Sequence, residues 1–338
     1  MPSPSDVVNS SSEGVGIPVA FARDPPAPPR SFRAGAEEVA AVIALPMNRT
    51  VALAAFVLAI GLETNAANAV SYAYDRTAPL ELTTEDTASV DGGVRVDTIA
   101  FRSGDRIVHA VLVRPKDPPD AMPGVLFVHW LGDPATSNRR EFLADAEWLA
   151  RRGVVSLIPD QPWSAPNWFT GIRSTQTDER DSIAEVVTLR RSLDVLLATP
   201  GVDRRALAYV GHDFGAMYGA LLAGADTRPS YYVFMTPTLT LAEWFLLDTS
   251  RPPTDSAAYT AAMSAFDLSA ALASATMRAS LLQFAAHDEY VPKAKAEAFA
   301  AAVPSTDRTV RTYDTDHALA LDAAIDERRE WLAAHFKR

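Results

Sequence analysis

The chain has 338 residues, 48% of them hydrophobic and 22% charged, so it can bury a full-sized core, and wholesale disorder is excluded. Its formal net charge of -11 offers no basic face to neutralise phosphates, which argues against a nucleic-acid binder. It has no Cys, which removes disulfide frameworks, Cys-type zinc sites, iron–sulfur clusters and a thiol nucleophile together.

Residues 1–46 are rich in Ser, Pro and Ala, with Asp24-Pro25-Pro26 and Pro28-Pro29, and are expected to be a disordered extension. Met47-Asn48-Arg49-Thr50 then precedes an uncharged apolar run at 51–62, followed by the small-residue tract Asn65-Ala66-Ala67-Asn68-Ala69. A short basic region, an apolar stretch and an A-x-A ending predict a signal peptide over 47–69. The run is shorter than the ~20 apolar residues of a membrane span. The expected product is an exported protein, periplasmic or secreted, whose mature domain covers 70–338 and has no stable membrane span. A cytoplasmic location follows if 47–69 is not a signal. The internal Met47 suggests that residues 1–46 stem from an over-extended start.

Residues 94–101 and 107–113 alternate apolar and polar positions about Ser103-Gly104-Asp105 and predict a β-hairpin. Continuous apolar runs at 125–128, 154–158 and 206–210 predict strands buried on both faces. Further strands are expected at 231–235, 281–285 and 309–313. Helical spacing predicts helices at 139–152, 182–197, 216–223 and 321–336. Alternating strands and helices mean a mostly parallel sheet covered on both faces. Two irregular segments interrupt this order. Residues 161–178 carry Trp163 and Trp168, and 236–277 carry Trp244, Phe245 and Tyr259. Loops leaving the carboxyl ends of parallel strands surround the ligand crevice, so these segments are candidate pocket walls, the second a short lid.

The most informative stretch is Gly211-His212-Asp213-Phe214-Gly215, between a buried strand and a helix. Gly at both ±2 positions suits a residue held in a sharp, strained strand-to-helix turn. The helix N-terminus behind it favours negative charge. This segment resembles the nucleophile elbow of α/β-hydrolases, normally G-x-S-x-G, with Asp213 at the nucleophile position. G-H-D-F-G is similar to the elbow of soluble epoxide hydrolases and haloalkane dehalogenases, whose nucleophile is an aspartate. Ala198-Thr199-Pro200-Gly201-Val202-Asp203 before the elbow strand resembles the dienelactone hydrolase-like branch, whose nucleophile is usually Ser or Cys. The resemblance covers about residues 95–338.

The resemblance implies an α/β-hydrolase fold and a triad in the chain order nucleophile, acid, His. His287-Asp288-Glu289 resembles the family's acid turn, with Asp288 as the acid. Asp314-Thr315-Asp316-His317 resembles its histidine loop, with His317 as the base. Val128-His129-Trp130-Leu131-Gly132 resembles the oxyanion loop, although Trp130 stands where Gly is usual. The implied oxyanion donors are the backbone N–H groups of Phe214 and Trp130. His129, His212, Trp163, Trp168 and Trp244 are the candidate substrate-lining residues. Tyr259, the lid's one Tyr, is a weaker candidate acid. His335 in the last helix is expected at the surface, and Tyr218 in packing.

A carboxylate nucleophile attacks an sp3 carbon bearing a leaving group, or an epoxide carbon, and forms an alkyl-enzyme ester. The first reading is therefore a hydrolase of an epoxide or alkyl halide through Asp213, His317 and Asp288, acting on a small molecule with no cofactor or metal. An ester or lactone hydrolase of the dienelactone hydrolase-like branch is a second reading. A catalytically silent ligand- or partner-binding relative is a third. The glycines fit no G-x-G-x-x-G dinucleotide loop, and no P-loop, H-E-x-x-H or EF-hand pattern is present.

Overall fold

A computed structural model describes residues 70–90, 92–132 and 140–337. The extension at 1–46 and the expected signal peptide at 47–69 lie outside the described residues. Nine strands form one sheet: β1 (Thr83–Val90), β2 (Val94–Ser103), β3 (Arg106–Pro115), β4 (Met122–Val128), β5 (Val155–Pro159), β6 (Val202–His212), β7 (Tyr231–Met235), β8 (Ala279–Ala285) and β9 (Asp307–Tyr313). Their spatial order is β1-β2-β3-β5-β4-β6-β7-β8-β9. The pairs from β1 to β5 through β3 are antiparallel, and every pair from β5 through β4 to β9 is parallel.

The strand period of two distributes the core between the two faces of the sheet. Val125 and Phe127 of β4 pack with Phe142, Ala146 and Leu149, the last two on α1 (Leu143–Ala150), and with Leu332 of α8 (Asp322–Phe336). Leu126 and Val128 face the other way. They join Val186, Leu189 and Leu193 of α2 (Asp178–Ala198) and Met217 of α3 (Phe214–Ala225). Buried Asp145 of α1 takes Arg328 on Oδ2 at 2.9 Å and Arg329 on Oδ1 at 2.6 Å, which ties α1 to α8. Single removal of a partner from such a buried pair leaves an uncompensated charge.

The predicted strands and helices are present, most of them longer by two to four residues at an end than the periodicity suggests. Two elements escaped the sequence reading. Strand β1 is polar and almost wholly exposed, so it has no apolar alternation, and its pairing with β2 holds it in place. Helix α7 (Lys293–Ala302) is Ala-rich and buries Ala296 and Phe299 only, too little for an apolar stripe. The expected lid folds as three short helices: α4 (Leu241–Phe245), α5 (Ser256–Met263) and α6 (Leu268–Ser274). Asp255 and Asp267 cap the last two by accepting two backbone N–H bonds each. Among the described residues no helix is long and apolar enough to cross a membrane.

Candidate active site

Strand β6 delivers Asp213 into a backbone conformation of φ 55° and ψ -115°, and α3 starts at the next residue. A non-Gly residue there is strained, at a cost of roughly 1–3 kcal/mol. The surroundings enforce it. The Asp213 N–H donates to Met235 O at 2.9 Å, and Asp213 O accepts the first helical bond from Met217 N–H at 2.9 Å. The flanking glycines are steric requirements. A Cβ on Gly211 would sit 2.4 Å from Gly215 O, and one on Gly215 would sit 2.2 Å from Val128 O. Thr236, directly after β7, and Leu319, two residues after His317, also adopt positive φ.

Asp288 follows β8. Its Oδ1 accepts from the N–H groups of Tyr290 and Val291 at 2.9 and 2.8 Å, and its Oδ2 accepts from His317 Nδ1 at 2.8 Å. That bond leaves His317 Nε2 as the lone-pair nitrogen, buried and without a hydrogen-bond partner. Asp213 is 1% exposed and His317 is 4% exposed. Burial pushes the Asp213 carboxyl up to about 7; the nearby His317 imidazole and the Leu131 N–H oppose the rise, and Glu141 and Asp288 add to it. Leu131 N–H donates to Asp213 Oδ2 at 3.1 Å, while Oδ1 has no partner.

The structure displaces one expected donor. The Trp130 N–H is taken by Glu141 Oε2 at 3.0 Å, and it is Leu131 N–H, one residue on, that reaches Asp213. Phe214 N–H opens α3, where the first N–H groups have no intrahelical acceptor.

The two histidines expected against substrate are occupied elsewhere. His129 is fully buried, with Nδ1 on Trp130 O and Nε2 on Ser164 Oγ, both at 2.8 Å. His212 has Nδ1 on Glu141 Oε1 at 2.6 Å and Nε2 on His317 O at 2.9 Å.

The tryptophans divide. Trp244 stands 5.7 Å from the His317 ring and 5.6 Å from Phe214, with its N–H on Thr238 Oγ1. Trp163 is buried behind Phe214 at 5.5 Å, with its N–H on His129 O. Half-buried Trp168 meets Phe214 edge-on at 5.8 Å. Tyr218 packs flat on Trp163 and pairs its hydroxyl with Ser182.

Tyr259 is committed away from the site, donating to Asp178 Oδ2, which also holds Arg173. His335 is 7% exposed rather than at the surface, because its Nδ1 reaches back to Trp331 O and its ring lies on Trp331.

Sequence reasoning missed three site residues. Tyr290, two residues past the acid, sets its ring 5.1 Å from His317. Leu131 was one position from the predicted donor. Glu141 had no motif to betray it. No group of three or more His, Cys, Asp or Glu that could hold a metal occurs among the described residues.

No protein-family profile and no curated sequence matches the chain. Solved structures do. It is similar to an acetyl xylan esterase from Paenibacillus sp. R4, with a TM-score of 0.61 and 19% identity over 76% of this chain and 89% of that one. Acetyl xylan esterase 1 from Thermoanaerobacterium sp. JW/SL YS485 gives 0.58 and 15%, over 76% and 88%. A cold-adapted esterase from an Arctic intertidal metagenomic library gives 0.56 and 15%, over 74% and 97%. At these identities the likeness establishes architecture: the chain has the α/β-hydrolase fold, as its sheet order and elbow also show.

Proposed function

We propose that this α/β-hydrolase-fold chain is a hydrolase in which Asp213 attacks an sp3 carbon of an alkyl halide or epoxide, and His317 with Asp288 releases the product. One observation carries the reading. Asp213 Oδ2 sits on the Leu131 N–H while Oδ1 has no partner, and the same holds for His317 Nε2. A nucleophilic carboxylate needs that division, one oxygen held and one free.

In the first step Oδ1 forms a bond to carbon. The carbon–halogen bond, or one carbon–oxygen bond of the epoxide, breaks, and the leaving atom takes the electron pair. In the second step His317 Nε2 takes a proton from water, and the water oxygen adds to the Asp213 carboxyl carbon. Negative charge then gathers on Oδ2, where the Leu131 N–H supports it. Collapse breaks the bond between the carboxyl carbon and Oδ1, so Oδ1 leaves with the product as an alkoxide that takes a proton from the imidazolium, and the water oxygen stays in Asp213. Asp288 holds the His317 tautomer and offsets its transient positive charge.

The esterases among the structural neighbours favour a second reading, in which His317 directs water onto an ester carbonyl. Against it, Asp213 Oδ2 already occupies the Leu131 donor that an ester oxyanion would require.

A single turnover in oxygen-18 water, on a panel of haloalkanes, epoxides and aryl esters, separates the two. We expect label in the Asp213 side chain by peptide mass spectrometry. Turnover with no label at Asp213 leaves only the direct-water route.

A further inference from the structure

His212 precedes the elbow residue and is 0% exposed. Both of its nitrogens have partners, and the partners fix its protons. Nε2 lies 2.9 Å from the His317 carbonyl oxygen. A carbonyl can only accept, so Nε2 carries a hydrogen. Nδ1 lies 2.6 Å from Glu141 Oε1, so a second hydrogen lies on that line. Glu141 spends its other oxygen on the Trp130 N–H at 3.0 Å. The Glu141 carboxylate accepts on both oxygens, from the Trp130 N–H and from Nδ1, so the second hydrogen is carried by the ring. Trp130 lies flat on that ring, with centroids 5.2 Å apart and planes at 16°, the arrangement that suits a cation against an aromatic face.

We infer that Glu141 is a positioning residue: through a doubly protonated His212 it ties the loop after β4, the end of β6 and the histidine loop after β9 into one brace. The inference rests on the reading of Asp213 and His317 as the working pair. It also accounts for the shifted oxyanion donor. Glu141 draws the Trp130 N–H to itself, and the next N–H in the loop, that of Leu131, is the one aimed at Asp213. Across the sheet, His212 holds the His317 main chain while Asp288 holds its side chain. The His317 ring is thereby fixed from both ends.

Two substitutions separate geometry from charge. Glu141→Gln can still accept the Trp130 N–H on its amide oxygen. Its amide NH2 then donates to a neutral His212, whose Nε2–H keeps the bond to His317 O. The brace survives without its charge. Glu141→Ala removes both bonds and leaves Nδ1 and the Trp130 N–H without Glu141. A displacement of about 1 Å in catalytic groups costs on the order of 10²-fold.

The first readout needs no substrate. In 15N-histidine-labelled protein, we expect His212 to show two downfield, exchange-protected ring N–H resonances. Glu141→Gln keeps the Nε2–H and turns Nδ1 into an acceptor-type nitrogen. The second readout is turnover. We expect Glu141→Ala to lower kcat by roughly 10–100-fold with little change in KM, and Glu141→Gln to recover most of that loss.

A single ring N–H on wild-type His212 overturns the brace. So does a folded Glu141→Ala with wild-type kcat, or a Glu141→Gln no better than Glu141→Ala. If Glu141→Ala does not fold, the resonances of wild type and Glu141→Gln decide alone. If the oxygen-18 label misses Asp213 while His212 shows both resonances, the nucleophile assignment fails and the brace stands.

Discussion

Asp288–His317 and Glu141–His212 are two carboxylate–imidazole pairs whose rings lie 5.5 Å apart. In each, the carboxylate holds Nδ1, at 2.8 Å in the first and 2.6 Å in the second. The pairs differ at the other nitrogen. His317 Nε2 has no partner, whereas His212 Nε2 is bound to a main-chain carbonyl. Residue type therefore does not separate a proton carrier from a brace here. The partner of the second nitrogen does: the base proposed for the second step needs a lone pair with no partner.

The largest expected effect comes from disabling the pair with the free nitrogen. His317→Gln should carry out the first step and stall at the second, releasing about one equivalent of halide per enzyme and accumulating a covalent adduct on Asp213. Asp288→Asn should lose the tautomer and lower kcat by about 10³–10⁴-fold, by analogy with removal of the orienting acid elsewhere. Intact-protein mass spectrometry and halide release check both. If His317→Gln turns over repeatedly, the roles assigned to the two imidazoles are wrong.

A smaller effect follows from pH. The nucleophile must be a carboxylate, and burial holds the Asp213 carboxyl at about 7. Below that value the proton stays on and attack fails, so kcat/KM should rise with pH through about 7, falling about tenfold per pH unit on the acid side. The groups facing it are His317, Glu141, Asp288 and the Leu131 N–H. A profile flat from pH 5 to 8 would falsify an ionisable Asp213 as the attacking group.

The sequence exposed the elbow because sterics leave a readable mark there. Gly211 and Gly215 are dictated by 2.4 and 2.2 Å approaches to backbone, and no other residue fits. Asp288 and His317 were legible because chain order after strands is a property of the fold. The brace was not legible. Glu141 reaches His212 across 71 positions and Trp130 across 11, and neither separation follows from periodicity. Edge strand β1 failed for the opposite reason, since a polar strand held by backbone pairing and polar side-chain bonds leaves no apolar pattern. The parallel strands β4 to β8 were plain because burial on both faces makes them continuous apolar runs.

Glu185 supplies a carboxylate with no imidazole beside it, the control that the two pairs lack. It is buried on α2, with Oε1 unpartnered and Oε2 3.4 Å from Arg106, whose side chain is 41% exposed. Burial pushes this carboxyl from the ordinary 4.5 to about 7, with Arg106 opposing weakly. The folded chain thus keeps its proton up to about 7, while the unfolded chain releases it near 4.5. Stability from the neutral form is complete below 4.5 and is lost as pH rises through 7. Glu185→Gln cannot ionise, so its stability relative to wild type should climb between pH 4.5 and 7 and level off above, by at most about 3 kcal/mol. Turnover should be unaffected at fixed pH, in contrast to the carboxylates that hold imidazoles. Denaturant midpoints at pH 5, 6, 7 and 8 give the measurement. A stability difference independent of pH means that Glu185 is ionised throughout, with Arg106 rather than burial setting its charge.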